Sequence, residues 1–160
     1  EFYTGILAAS TFTQEAGFEL LRNRSVAVTK EIIITGVDDP ASNRPDEALN
    51  EKELLKRVPE TAYSLLLKHR PIIAEDNIDS IDLQLSGHTH RGQIFPFDAL
   101  VRLSYPLGYG LQQIAPDRYL YTSRGTGTWG PPIRFLAPPE VTVIDIVDSS
   151  SINASNKSTQ

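Results

Sequence analysis

Short β-branched or apolar runs, each closed by a polar or Gly- and Pro-containing loop, constrain this chain more than any other feature. Ser25–Thr29 and Glu31–Val37 are two such runs separated by Lys30, as expected of two antiparallel strands or one bent strand pair. Ala62–Lys68 has the length of a buried strand, Ile81–Leu85 alternates with a strand period, and Tyr119–Ser123 and Val141–Val147 read as further strands. Helical signals lie between them. Residues 5–16 carry Ile6, Leu7, Phe12 and Ala16 close to helical period, with Gly17 as a stop. Asn50–Arg57 has an Asn cap, Glu in its first turn and basic residues in its last, the pattern of a short surface helix. Residues 72–80 have room for one or two helical turns. Strands alternating with short helices predict an α/β or α+β domain, a sheet layered with helices, whose site belongs in the loops at the strand ends.

Composition narrows the function classes. The 160 residues hold 15 Lys and Arg against 20 Asp and Glu, a net charge of −5, which argues against nucleic-acid binding through phosphate contacts. The absence of cysteine excludes thiol nucleophiles, thiolate zinc sites and disulfides, and leaves histidine and carboxylate chemistry. No stretch approaches the ~18 consecutive apolar residues of a membrane helix, and the N-terminus lacks the layout of a signal peptide, so the chain as given is expected to be soluble. Without a single Met, Glu1 does not read as a natural start, and we expect an excised piece. The domain is expected over residues 1–147. Residues 148–160 form a polar, low-complexity tail, expected to be disordered, in which the sequons at Asn153 and Asn156 carry little weight.

The only three histidines, His69, His88 and His90, fall within 22 residues, each just beyond the end of a predicted strand. If those strands are neighbours, the rings converge. Gly87 leads the second loop and lets the backbone bend, so that His88 and His90 can aim at two nearby points. Neutral imidazole suits Zn, Mn, Fe and related ions. Isolated histidines are more often surface or satisfied core residues, however, and spacing alone leaves both readings open.

The surrounding residues carry a resemblance. Ser86-Gly-His-Thr-His-Arg-Gly-Gln93 resembles the final Gly-His-x-His motif of the calcineurin-like metallophosphoesterases. Leu66-Leu67-Lys68-His69-Arg70-Pro71, about twenty residues upstream, resembles that family's preceding histidine motif. The opening Glu1-Phe2-Tyr3-Thr4-Gly5 is similar to the residues directly after the family's Gly-Asn-His motif. Leu21-Arg22-Asn23, Gly36-Val37-Asp38-Asp39-Pro40 and Ser123-Arg124-Gly125 through Trp129-Gly-Pro-Pro132 are similar to its bacterial membrane-associated branch.

The resemblance implies the C-terminal half of an αββα sandwich, a mixed sheet with flanking short helices, in a metal-dependent hydrolase of phosphate esters. It implies two divalent ions (Mn, Fe or Zn), one held by His69 and His88 and the other by His90. It also implies a full-length bacterial protein associated with a membrane and a phosphate-ester substrate, lipid-linked in one version. The family's Asp-x-His motif, its bridging Asp, its Asn ligand and its general-acid His have no counterpart here. The resemblance places them upstream of Glu1, so no catalytic residue is expected in this chain, which is expected to be a poor enzyme without its N-terminal half. The alternative is a non-catalytic metal-binding or regulatory domain. A chain lacking its other half is further expected to expose apolar strand faces and to pair with itself as a homodimer.

Arg91 and Arg124, each beside a Gly-bearing loop, are candidate substrate-binding residues, able to clamp a phosphate; Thr126 is a lesser candidate. Asp38 and Asp39 could replace a missing carboxylate, although Asp-Asp-Pro after a strand is more often turn chemistry. Trp129 reads as a packing residue or a loop anchor. Ile94–Tyr109 holds a dense set of apolar residues, expected to form a buried hairpin or helix, with an apolar lip against a membrane or lipid tail as the alternative.

Overall fold

The computed structural model describes residues 6–39 and 51–148. The expected Asn50 cap, the tail from residue 149 and the motif over residues 1–5 lie outside the described residues. Among the described residues nine regular elements succeed one another: α1 (Ile6–Glu15), β1 (Arg24–Ala27), β2 (Ile32–Gly36), α2 (Glu51–Leu55), β3 (Tyr63–Leu67), β4 (Leu83–Ser86), α3 (Phe97–Ser104), β5 (Gly110–Ala115) and β6 (Arg118–Thr122). Two 3-10 turns, Glu75–Ser80 and His90–Gly92, complete this order. All six strands join one mixed sheet in the order β1-β2-β3-β4-β6-β5. The architecture is the mixed α/β sheet with short helices that the sequence predicts.

Physical reasons for this order lie in the connections. β1 and β2 are joined by a tight turn and pair antiparallel, as do β5 and β6. The four central strands run parallel, which demands long crossovers, and α2, the Glu75–Ser80 turn and the α3–β5 segment lie in them. Parallel pairing aligns Thr35, Leu66, Gln84 and Leu120 across neighbouring strands, and each is fully buried. Leu55 of α2 and Ile81 pack on Leu66, with Val37 at the margin. The sequence pattern of α2 is that of a surface helix, yet Leu54 and Leu55 are buried, because its apolar pair closes this face of the sheet. Lys68 ties β3 to α2 through an ion pair with Glu51 at 2.7 Å, and Glu51 also accepts a hydrogen bond from Asn77.

The opposite face is apolar but incompletely covered. Leu65 and Leu83 are buried there, whereas Leu67, next in the same row, is 36% exposed and Leu111 is 60% exposed.

Two sequence expectations require correction. Val141–Val147 is not a strand: it lies unpaired, with Val141 and Val143 exposed. Apolar alternation gives strand propensity, but a strand needs a neighbour's hydrogen bonds, and no described strand supplies them. Ile94–Tyr109 is not buried either; it contains α3, in which no residue is buried.

Leu66→Ala is expected to remove about 2–5 kcal/mol of stability, read as a lowered urea midpoint at unchanged slope. An unchanged midpoint would show that the α2 side of the sheet is not the core.

Candidate metal centre

The carboxyl ends of the parallel strands collect every candidate residue. β3 and β4 are neighbours in the register Leu67↔Leu85, and the pairing continues past both strands: Lys68 donates to the Leu85 carbonyl and Gly87 to the His69 carbonyl. His69 and His88 therefore leave adjacent strands at the same level. Their facing nitrogens, Nε2 of His69 and Nδ1 of His88, are 3.0 Å apart, with the rings edge to face. Both residues are exposed. Two neutral imidazoles ligating one ion at ordinary zinc distances, with near-tetrahedral angles, bring their nitrogens to about 3.3 Å. The observed 3.0 Å lies within a few tenths of an ångström of that spacing.

The backbone that delivers the second histidine is unusual. His88, His90, Arg91 and Gln93 all have positive φ, between 47° and 68°, within six positions. Non-glycine residues in that region cost free energy, and such strain is concentrated where side-chain aim matters. Gly92, at φ 72°, has a separate reason to be glycine. A Cβ there would lie 2.3 Å from the Asp98 nitrogen, so its bareness lets α3 press its first turn onto the histidine loop. At the other end of α3, Tyr105 packs edge-on against the His88 ring at 5.4 Å.

His90 stands apart from the pair. Its Nδ1 is 3.1 Å from Nη2 of Arg134, whose guanidinium also donates to the carbonyls of Arg124, Gly125, Gly127 and Ala137. Among the described residues no group of three or more His, Asp or Glu side chains is placed to hold an ion. Partial burial, then the neighbouring His69 and Arg70, pushes the His88 imidazole below its ordinary pKa. Burial and the Arg134 charge do the same to His90. Both are held neutral near pH 7, the form with a free lone pair.

The carboxylates and arginines at this edge are mostly spoken for. Asp38 pairs with Arg22 at 2.6 Å and Asp39 with Arg70 at 2.8 Å, so both are engaged in ion pairs around the β2 and β3 ends. Arg124 is ion-paired with Glu140, whose pKa is lowered to about 2, chiefly by the Tyr121 hydroxyl, with Arg124 and Thr142 adding to it against the cost of burial. Arg91 instead lays its guanidinium over the Tyr109 ring at 4.3 Å, with Arg124 at 5.9 Å from the same ring. Thr126 makes no contact that assigns it a role. Trp129 is held only through its backbone, by Gln93, and its ring is 72% exposed, so it does not pack as expected.

Sequence reasoning missed Gln93 and Arg134. Gln93 is buried, donates from Nε2 to the carbonyls of Trp129 (2.8 Å) and Pro131 (3.1 Å), and accepts from the Trp129 amide. It fastens the Gly-rich loop to the histidine loop. An uncharged amide at the end of the histidine motif gives no sign of this, because its partners lie 36 and 38 residues away.

Gln93→Leu would remove the side-chain partner of three backbone groups of an exposed loop, and we expect a loss of about 0.5–1.5 kcal/mol. Trp129 is the sole tryptophan, so its fluorescence anisotropy should fall in that variant; unchanged anisotropy would show the loop is held otherwise. The histidines generate a pH expectation. A folded pKa below the ordinary 6.5 means the unfolded chain binds protons first, so their contribution to stability is whole above pH 6.5 and is lost as pH falls through that value to the depressed one. Urea midpoints measured from neutral pH downward should decline below pH 6.5, and less so in His88→Gln.

The chain is similar in sequence to known proteins. The chain is 39% identical over 149 residues to an uncharacterized metallophosphoesterase of Aquifex aeolicus, covering 91% of the chain and 57% of that protein. It is 38% identical over 150 residues to an uncharacterized metallophosphoesterase of Helicobacter pylori, covering 92% of the chain and 40% of that protein. It is 35% identical over 150 residues to the uncharacterized metallophosphoesterase YkuE of Bacillus subtilis, covering 90% of the chain and 50% of that protein. The chain thus spans about half the length of these bacterial relatives. No family model and no solved structure matches it.

Proposed function

Because the chain belongs to the calcineurin-like metallophosphoesterase family, we propose that it supplies part of a two-metal centre that hydrolyses phosphate esters. The observation that carries the proposal is the 3.0 Å approach of His69 Nε2 and His88 Nδ1 at the carboxyl ends of adjacent parallel strands, where open α/β sheets place their ligands. His69 and His88 would hold one divalent ion (Mn, Fe or Zn) and His90 would approach a second. Bound there, such ions would offset phosphate charge and supply a nucleophilic water at neutral pH.

The chain's own residues orient and bind. Tyr105 limits the rotation of the His88 ring, and the Gly87–His69 backbone bond fixes the spacing of the two loops. Arg134 lies against the far side of His90. Arg91 forms no ion pair among the described residues, and so is better placed than the Glu140-bound Arg124 to meet a substrate phosphate. Imidazoles bring no negative charge, and the carboxylates that would balance two ions are not gathered at the pair among the described residues. We therefore assign those ligands, the general acid and the cover over the open apolar face to parts of the protein outside these residues. The same gap favours a second reading, in which the chain binds metal or a partner without catalysis.

The test is metal content and hydrolysis of a generic phosphomonoester and phosphodiester with added Mn, using the protein with its flanking sequence. His88→Ala is expected to lower turnover at least about 100-fold and to reduce bound metal. Metal binding without turnover in the unsubstituted protein would support the second reading instead; full activity in His88→Ala would overturn both.

A further inference from the structure

Two arginines meet one aromatic ring. The register of the sheet brings them there, for Gly110 pairs with Thr122 where β5 and β6 adjoin, which sets Tyr109 level with Ser123 and next to Arg124. Ser86 pairs with Thr122 from the other side, so the histidine loop leaves β4 at the same height. From that loop Arg91, at φ 53°, lays its guanidinium 4.3 Å from the centre of the Tyr109 ring, and the Arg124 guanidinium lies 5.9 Å from the same centre. Two cations at one ring repel each other, and only one of them is neutralised. Arg124 is ion-paired with Glu140, whereas among the described residues Arg91 has no ion pair and its side chain donates no hydrogen bond. What holds Arg91 is the electron-rich face of the ring, which attracts a guanidinium. That attraction uses no carboxylate, so the N–H donors of Arg91 stay available to an anion, in the fork that fits phosphate.

We propose that Tyr109 is a positioning residue for phosphate binding, its ring holding the Arg91 guanidinium in place while the N–H donors remain free. This rests on the assignment of Arg91 to the substrate phosphate and adds what keeps that arginine ready. An arginine side chain has many rotamers, and an anion that must itself fix them loses affinity in doing so. A ring that restricts them beforehand removes part of that loss. Arg91 and Tyr109 are both half-buried, so the contact is partly shielded from water. The ring is also coupled to the histidines through the chain. Residues 105–109 carry one tyrosine edge-on against His88 and a second at Arg91, so a single stretch of backbone sets both.

Inorganic phosphate is the probe, because it has no apolar part to touch the ring and so senses the ring only through the guanidinium. Calorimetric titration uses the protein with its flanking sequence and added Mn. Arg91→Met is expected to raise the phosphate dissociation constant at least about tenfold. Tyr109→Leu should raise it about fivefold, while Tyr109→Phe, which keeps the ring face, should stay within about twofold of the unsubstituted protein. Adding Tyr109→Leu to Arg91→Met should change nothing further. The decisive series places phenylalanines with one, two and three ring fluorines at position 109. Shape is kept while the negative face of the ring fades, and phosphate affinity should fall stepwise; a ring that merely fills space would give no trend. The series also serves if Tyr109→Leu fails to fold. Affinity that stays flat across it, or that rises because the ring had been competing with phosphate for the cation, would overturn the proposal. So would an undiminished effect of ring substitution in the Arg91→Met background. Failure of the underlying assignment looks different. Phosphate binding that is absent from the unsubstituted protein, or indifferent to Arg91→Met, removes Arg91 from the substrate and Tyr109 with it, whereas weakening by Arg91→Met without a fluorine trend removes Tyr109 alone.

Discussion

Parallel pairing of β3 with β4 is the constraint on which the remaining geometry rests. The Leu67↔Leu85 register, prolonged by the Lys68 and Gly87 backbone bonds, sets the exits of two loops at one height. A shift by one residue would turn Leu66 and Gln84 away from α2 and part the His69 and His88 nitrogens together. Stability and site geometry therefore share one determinant. The buried row from Thr35 to Leu120 makes that register costly to lose, since each member fills a place on the closed face of the sheet.

Around this frame, a second set of contacts attaches pieces distant in sequence. Gln93 and Arg134 hold the Arg124–Pro131 loop mainly through backbone carbonyls rather than through side-chain ion pairs. Carbonyl anchoring suits a loop that must keep its path whatever its side chains are doing. It also leaves Arg91 over Tyr109 without a carboxylate partner among the described residues. The positive φ values from His88 to Gln93 are compatible with this tethering, because strain in a loop persists only where neighbours over-determine its path.

Legibility in the sequence tracks the range of the interactions. Strands whose runs carry their own periodicity, such as Ile32–Gly36 and Leu83–Ser86, are readable, and so are the histidines at their ends. β5 escapes such a reading because Gly108, Gly110 and two glutamines break its apolar pattern; it becomes a strand by pairing with β6. Val141–Val147 goes the other way, with the right pattern and no described partner. Nothing local in the sequence can give Glu140 to Arg124 or Arg134 to His90, since each pair joins residues brought together by tertiary folding alone. Nor does apolar density in Ile94–Tyr109 say which side of a helix faces inward. Gly92 decides that, through backbone contact with Asp98.

The two incompletely covered apolar regions of the molecule call for different explanations, because their shapes and charges differ. The strand face around Leu67 and Leu111 is part of a sheet whose other face is closed by α2. Sheets of this kind are normally layered on both sides, so a second packed layer is its natural complement. α3 is a lone projecting helix already anchored by its backbone, with an exposed arginine on its own turn. At ~100° per residue, Arg102 lies roughly opposite the stripe of Phe97, Leu100 and Leu103, so a layer on that stripe would leave its charge in water. The sheet face thus lacks the layer that would complete it, whereas α3 keeps its place without one, through the backbone contact at Gly92.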